Sequence, residues 1–180
     1  MRRILRTFTL SAMLTLTAGM AHAASPAAPS SPDQRRLSCY VLGDSIAVGT
    51  AQKLPWCWSD AKVGLNSKQA LTRFTRIPPV DLTVISLGIN DRGSRLPTVQ
   101  NLAMIRSRIA SPRVIWILPA DAGKSAEIQM VAAHFQDRTI DLNSPGFFRY
   151  LSRADHIHPN GTGYALVAYR TRELAFASPW

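Results

Sequence analysis

Beyond residue 36 the chain alternates short apolar runs with longer stretches whose apolar residues recur every three or four positions. Residues 37–42 read as a first strand. Thr83-Val84-Ile85-Ser86-Leu87 and Val114-Ile115-Trp116-Ile117-Leu118 are near-continuous apolar runs rich in β-branched residues. Strands buried on both faces have this character, whereas a half-exposed strand would alternate. Residues 139–142 read as a last short strand. Between the runs lie helical patterns. Residues 45–54 follow the first strand as a helix, and residues 97–109 carry Leu102, Ile105 and Ile109 at spacings of three and four, with Arg106 and Arg108 between them. That is an amphipathic stripe. Residues 124–135 repeat it with Ile128, Val131, Ala132 and Phe135, and residues 163–176 close the chain with Val167, Ala168 and Leu174 inward. Strand and helix in this rhythm predict an α/β fold, a flavodoxin-like three-layer α/β/α sandwich with a mostly parallel sheet. Sites in such folds lie beyond the carboxyl ends of the strands.

The first residues read differently. Arg2, Arg3 and Arg6 precede an apolar run from Phe8 to Ala18, and Ala21-His22-Ala23 supplies small residues at the positions a signal peptidase reads. Residues 1–23 are therefore expected to be a cleaved secretory signal, because the apolar run is too short for a comfortable membrane span. Residues 24–36, rich in Ala, Ser and Pro, read as a flexible linker, and residues 37–180 as one domain.

Charge and cysteine usage fit an exported chain. The 180 residues carry a formal charge of +10, and loss of the three signal arginines leaves +7. A basic surface favours an anionic partner such as an acidic glycan, although solubility alone accounts for it equally well. Outside the signal there is neither a nucleic-acid motif nor a Lys/Arg run, so no nucleic-acid partner is expected. Cys39 and Cys57 are the two cysteines. A strand rising roughly 15 Å and a helix returning roughly as far bring Cys57 back beside Cys39. A structural disulfide is expected in a compartment that permits one.

Three segments stand next to predicted strand ends or helix starts: Gly43-Asp44-Ser45, Gly88-Ile89-Asn90-Asp91, and Asp155-His156-Ile157-His158. Singly these are weak signals. In this order, and in the strand–loop settings they need, they resemble the G-D-S, G-x-N-D and D-x-x-H blocks of the SGNH (GDSL-like) hydrolases, with Gly64 as the isolated glycine of a fourth block. The resemblance spans essentially the whole domain. Ile46 stands where leucine is common in the family, and Leu65-Asn66-Ser67 follows Gly64 in place of a second close glycine.

The chemistry these residue types allow agrees with that likeness. A serine that ends a strand and opens a helix presents its hydroxyl above the sheet, near the positive end of the helix dipole. That neutral hydroxyl needs a base. His158 is the expected base, and Asp155 the carboxylate that fixes its tautomer and stabilises the imidazolium. His156 is the rival base, set aside on spacing and on the Pro159-Asn160-Gly161 that follows His158. The resemblance implies an oxyanion hole from the backbone N–H of Ser45, the backbone N–H of Gly64 and the side-chain amide of Asn90. Ser45 as a mere helix cap is the duller reading. Asp44 is expected to tighten the turn or cap the helix, and Asp91 to hold the loop that presents Asn90. His134 is expected at the surface. No cofactor is expected, and no metal, because His156 and His158 have no ligand cluster beyond Asp155.

Substrate is less legible. A domain short for this fold leaves little chain for a lid, which suits a small acyl group on a bulky polar carrier. The leading expectation is a periplasmic or secreted esterase that removes or transfers short acyl groups, chiefly acetyl, on an envelope or extracellular carbohydrate. A lysophospholipase or thioesterase uses the same triad, and a non-catalytic glycan-binding module is the alternative from another class. Arg92 and Arg95 are candidates for an anionic carrier. Trp56 and Trp58, placed outside the predicted strands, are candidates to stack on a sugar, with simple packing the commoner fate of such residues.

Overall fold

The computed structural model describes residues 37–177. The expected signal peptide and the whole of the expected linker lie outside these residues. Five strands run through the described chain: β1 (Cys39–Gly43), β2 (Trp58–Ala61), β3 (Leu82–Ser86), β4 (Arg113–Leu118) and β5 (Arg138–Asp141). All neighbouring pairs are parallel, in the order β2-β1-β3-β4-β5. This is the flavodoxin-like order. The helices are α1 (Ser45–Ala51), α2 (Ser67–Arg73), α3 (Thr98–Arg106), α4 (Ala122–His134), α5 (Pro145–Phe148) and α6 (Gly161–Phe176).

Side-chain alternation along the strands makes the layers. Val41, Val84, Ile115 and Ile117 face one side, where Ile46 and Ala47 of α1 and Val167, Ala168 and Ala175 of α6 cover them. Leu42, Ile85, Val114, Trp116 and Leu118 face the other, against Ala70 of α2, Leu102 and Ile105 of α3 and Ile128, Val131 and Ala132 of α4. Trp116 is fully buried, and its indole N–H donates to Asp137 Oδ2 at 2.8 Å, the carboxylate that Arg106 grips through both oxygens. That pairing satisfies the one polar atom such a large side chain carries into the core.

The expected strands form within two residues of their expected ends. One strand is new. Trp58-Ser59-Asp60-Ala61 pairs with β1 in register Tyr40↔Trp58 to Gly43↔Ala61, so Trp58 belongs to a strand and not to a loop. Its residues are exposed or half-buried because β2 is a sheet edge, and they carry no apolar run to announce it. A disulfide joins Cys39, at the start of β1, to Cys57, just before β2, with the Cα atoms 4.5 Å apart. Among the described residues no helix is long and apolar enough to cross a membrane.

Candidate active site

Strand β1 ends on a glycine that no other residue replaces easily. Gly43 takes φ 141, and a Cβ there would lie 1.9 Å from the Ser86 carbonyl oxygen of β3. Its neighbour Asp44 donates its backbone N–H to that same carbonyl at 2.9 Å. The Asp44 side chain then turns inward as the cap of α1: Oδ1 accepts from the Ile46 N–H and from the Ser86 hydroxyl, both at 3.0 Å. Asp44 is fully buried, its Oδ2 has no partner, and burial pushes its carboxyl up to about 7, against the opposing pull of those hydrogen bonds. These two residues set Ser45 at the carboxyl end of β1, as the first residue of α1.

The second half of the site is a loop closed at its base. Leu151 bridges Pro159, Ser152 N–H donates to the His158 carbonyl at 2.7 Å, and Asn160 N–H donates to the Tyr150 carbonyl at 2.7 Å. Within it, Asp155 Oδ1 accepts the backbone N–H groups of Ile157 at 2.9 Å and His158 at 3.0 Å. Its Oδ2 lies 2.7 Å from His158 Nδ1. The backbone donor of Ile157, with the His158 ring beside it, holds the Asp155 carboxyl down at about 2, well within the ionised range. Across the sheet end, His158 Nε2 meets Ser45 Oγ at 2.7 Å. A carboxylate only accepts, so Nδ1 carries a proton, and in the neutral imidazole Nε2 is then the acceptor for the Ser45 hydroxyl. Carboxylate, imidazole and hydroxyl thus share one proton path, in which Ser45 and His158 meet across a sequence separation of 113.

His156 stands apart from this line: it is exposed, with left-handed backbone at φ 55. His134 is exposed on the last turn of α4.

The expected oxyanion residues converge on the same sheet end. Lys62 N–H donates to the Gly43 carbonyl at 2.9 Å, which carries the chain past the end of β1 into Gly64. Gly64 is exposed at φ 75, with open space where a Cβ would be. Asn90 lies in a 3-10 turn, Ile89–Asp91, and its Nδ2 donates to the Leu65 carbonyl at 3.1 Å. That bond ties the Asn90 loop to the Gly64 loop and occupies one of the two amide hydrogens, leaving the other. Asp91 is fully buried, and its Oδ1 accepts the Ser67 N–H at 2.9 Å, so it fastens the Asn90 turn to the start of α2.

No protein-family model matches the chain, and no curated protein matches it. Solved structures do. A member of the lipolytic protein G-D-S-L family from Veillonella parvula superimposes with a TM-score of 0.56 at 17% identity, covering 76% of this chain and 97% of that one. A GDSL-like lipase from Bacteroides thetaiotaomicron gives 0.59 at 20% identity, covering 79% and 89%. The C-terminal catalytic domain of Streptococcus pneumoniae peptidoglycan O-acetyltransferase A, solved with a methylsulfonyl adduct, gives 0.53 at 16%, covering 76% and 91%. The chain has the SGNH hydrolase fold.

On that SGNH scaffold the remaining candidates fall outside the proton path. Arg92 is paired with Asp121 at 3.4 Å, the residue that caps α4, so its charge is balanced. Arg95 is exposed on the same loop. Trp56 is half-buried and packs against the core beside α1 and α6. Trp58 is 66% exposed, which contradicts the expectation of packing. It does not serve the site either. It pairs with Tyr40 at the start of β2, three residues and thus roughly 10 Å below Ala61, while the site lies beyond the opposite end. Two further residues shape the site without a local sequence signal. Ser86 binds Asp44 from the neighbouring strand, and the half-buried Tyr164 of α6 leans on α1. Asn160 did carry a signal: it caps α6 by accepting from Thr162 and Gly163 N–H, both at 3.0 Å, so the helix opens two residues before the expected 163.

Proposed function

We propose that this chain is an exported serine esterase that removes or transfers short acyl groups, chiefly acetyl, on an envelope or extracellular carbohydrate. The observation that carries the reading is the line Ser45–His158–Asp155, with both contacts at 2.7 Å. In the proposed cycle Ser45 Oγ attacks the ester carbonyl carbon while its proton passes to His158 Nε2. The oxyanion that forms is held by the backbone N–H groups of Ser45 and Gly64 and by the remaining Asn90 amide hydrogen. Collapse breaks the bond to the carrier oxygen, which leaves with the proton from His158. Water then attacks the acyl-serine, again deprotonated by His158, and releases the acid; a sugar hydroxyl in place of water gives transfer. Asp155, ionised far below neutrality, stabilises the imidazolium in both halves.

Two features favour a short acyl group on a polar carrier. The side chains of His158 and Asp155 are 36% and 38% exposed, so this side of the site is open to solvent and can admit a bulky polar carrier. A peptidoglycan O-acetyltransferase domain is among the similar folds. Export is supported by the leader-like residues 1–23 and by the Cys39–Cys57 disulfide.

The decisive test is labelling with a fluorophosphonate, followed by peptide mapping, and acetate release from acetylated envelope glycans by wild type and Ser45→Ala. The expected result is an adduct on Ser45 and acetate release that the substitution abolishes. Well-folded protein without an adduct would leave a glycan-binding module. Strong preference for long-chain esters in the same panel would favour a lipid esterase.

A further inference from the structure

The oxyanion loop has a second side that the proton path does not use. Between the end of β2 and α2 lies a cleft of about 430 Å³, lined by Lys62, Leu65, Gln69, Thr72 and Arg73. It is fixed to the candidate active site at two points. The Lys62 backbone N–H is bonded to the Gly43 carbonyl, two residues before Ser45. The Leu65 carbonyl accepts the Asn90 amide, and Gly64 lies between the two. A molecule in the cleft therefore touches Lys62 and Leu65, which lie on either side of Gly64 in the chain. Its volume is within the ordinary range of small-molecule sites.

The lining says what kind of molecule. Gln69, Thr72 and Arg73 share one face of α2. Gln69 Oε1 is held by the Asn66 N–H at 3.2 Å, which leaves its amide hydrogens to donate, and Thr72 adds a hydroxyl. Leu65 is buried and apolar. An apolar floor with neutral donors at its edge suits a sugar ring. Two cations border it, but they are not equal. Arg73 donates through Nε and a terminal nitrogen to Asp60 Oδ1, so its charge is balanced within the protein. Lys62 is exposed and has no ion pair among the described residues. The cleft thus presents one uncompensated positive charge.

We infer that this cleft holds the carrier of the acyl group, and that Lys62 selects a glycan bearing a monoanionic group, a sugar carboxylate or a phosphodiester. The inference rests on the esterase reading and narrows its substrate. Lys62 takes no part in the proton path, so its charge acts on carrier binding, and its signature is in KM and in salt dependence.

The test compares acetate release from three acetylated polymers: a neutral xylan, a polyuronate, and a neutral glycan linked by phosphodiesters. Wild type is expected to prefer at least one anionic polymer over the neutral one, and 0.5 M salt to erase the preference. Which anionic polymer is favoured identifies the group. Lys62→Glu is expected to lower the anionic-to-neutral ratio of kcat/KM by roughly three- to tenfold. Lys53→Glu, an equal charge change on an exposed residue past the other end of α1, is expected to keep the ratio. No anionic preference in wild type, or an unchanged ratio in Lys62→Glu, overturns the inference while leaving the esterase intact. If no polymer releases acetate, the esterase reading fails separately. Calorimetric binding of the same polymers to Ser45→Ala protein, with and without Lys62→Glu, then decides the cleft by itself.

Discussion

The ring of Tyr164 lies flat against the backbone of Gly49: a Cβ added at Gly49 would fall 2.2 Å from its Cζ and within 2.7 Å of both Cε atoms. This contact joins the middle of α1, which begins with Ser45, to the first turns of α6, which follows His158. Glycine inside a helix costs about 1 kcal/mol relative to alanine, yet here only glycine leaves room for the ring. Gly49→Ala is therefore expected to destabilise by about 1–3 kcal/mol despite its better helix propensity. It is also expected to lower kcat more than it raises KM, because the hydroxyl and imidazole are displaced relative to each other. Thermal unfolding and steady-state kinetics measure both. Adding Tyr164→Ala should recover part of the loss, and strictly additive effects would show that the two residues do not act through one another.

Asn90 is held by Leu65 at 3.1 Å, and its role divides into a donor and a tether. Asn90→Ala removes both and is expected to reduce kcat by about 10²–10³, with a much smaller change in KM. Asn90→Asp keeps the size but exchanges the donor for a charge that repels an oxyanion, so it should be no more active than the alanine variant. An Asp variant within tenfold of wild type would remove Asn90 from the oxyanion hole.

The fold was legible wherever burial wrote a pattern. Strands β3 and β4 lie between two helical layers, so Leu82–Ser86 and Arg113–Leu118 read as apolar runs. Strand β2 is an edge, short and exposed, and Trp58-Ser59-Asp60-Ala61 offers nothing to distinguish it from a loop. Helix α2 is too short for an apolar stripe, but Asn66 and Gln69 form a reciprocal capping box that does announce its start. At the site, Ser45, Asp155 and His158 could be proposed from the sequence because each sits in a short local block, Gly43-Asp44-Ser45 where β1 meets α1 and Asp155-His156-Ile157-His158 ahead of α6. Contacts made between elements far apart in sequence were not: Ser86 on Asp44, Tyr164 on Gly49, and the pairing of Arg92 with Asp121 depend on which elements become neighbours.

The Cys39–Cys57 bridge closes a loop with a sequence separation of 18 that contains Asp44, Ser45 and all of α1. Chain entropy gives such a loop about 3 kcal/mol of stabilisation. Reduction, or Cys39→Ser together with Cys57→Ser, is expected to lower the urea midpoint by the equivalent of about 2–4 kcal/mol. The Ser45–His158 contact involves no cysteine, so activity under conditions where the reduced protein stays folded should persist. Loss of activity without loss of stability would mean that the bridge sets the position of Ser45.

Asp44 and Asp155 make stability depend on pH with opposite signs. Asp155 falls from an ordinary 3.8 to about 2 in the folded protein, so its contribution is present above 3.8 and is lost as pH falls through about 2. Its side chain is 38% exposed, which makes this share small and sensitive to salt. Asp44 rises from 3.8 to about 7 because burial disfavours its charge. The folded state then binds a proton that the unfolded state has released, so the contribution is fully present below 3.8 and declines as pH rises through about 7. His158 and Tyr164 are the titratable neighbours coupled to it, and Tyr164, pushed up to about 12 by burial and by the charges of Asp44 and Asp155, stays neutral across this window. Asp44→Asn keeps a good helix cap, and its side-chain oxygen can still accept from Ile46, but it cannot ionise. Urea midpoints measured from pH 4 to pH 8 should fall with pH in wild type and fall less steeply in Asp44→Asn. Parallel profiles for the two proteins would mean that Asp44 is ionised in the folded state throughout, with a partner for Oδ2 such as bound water.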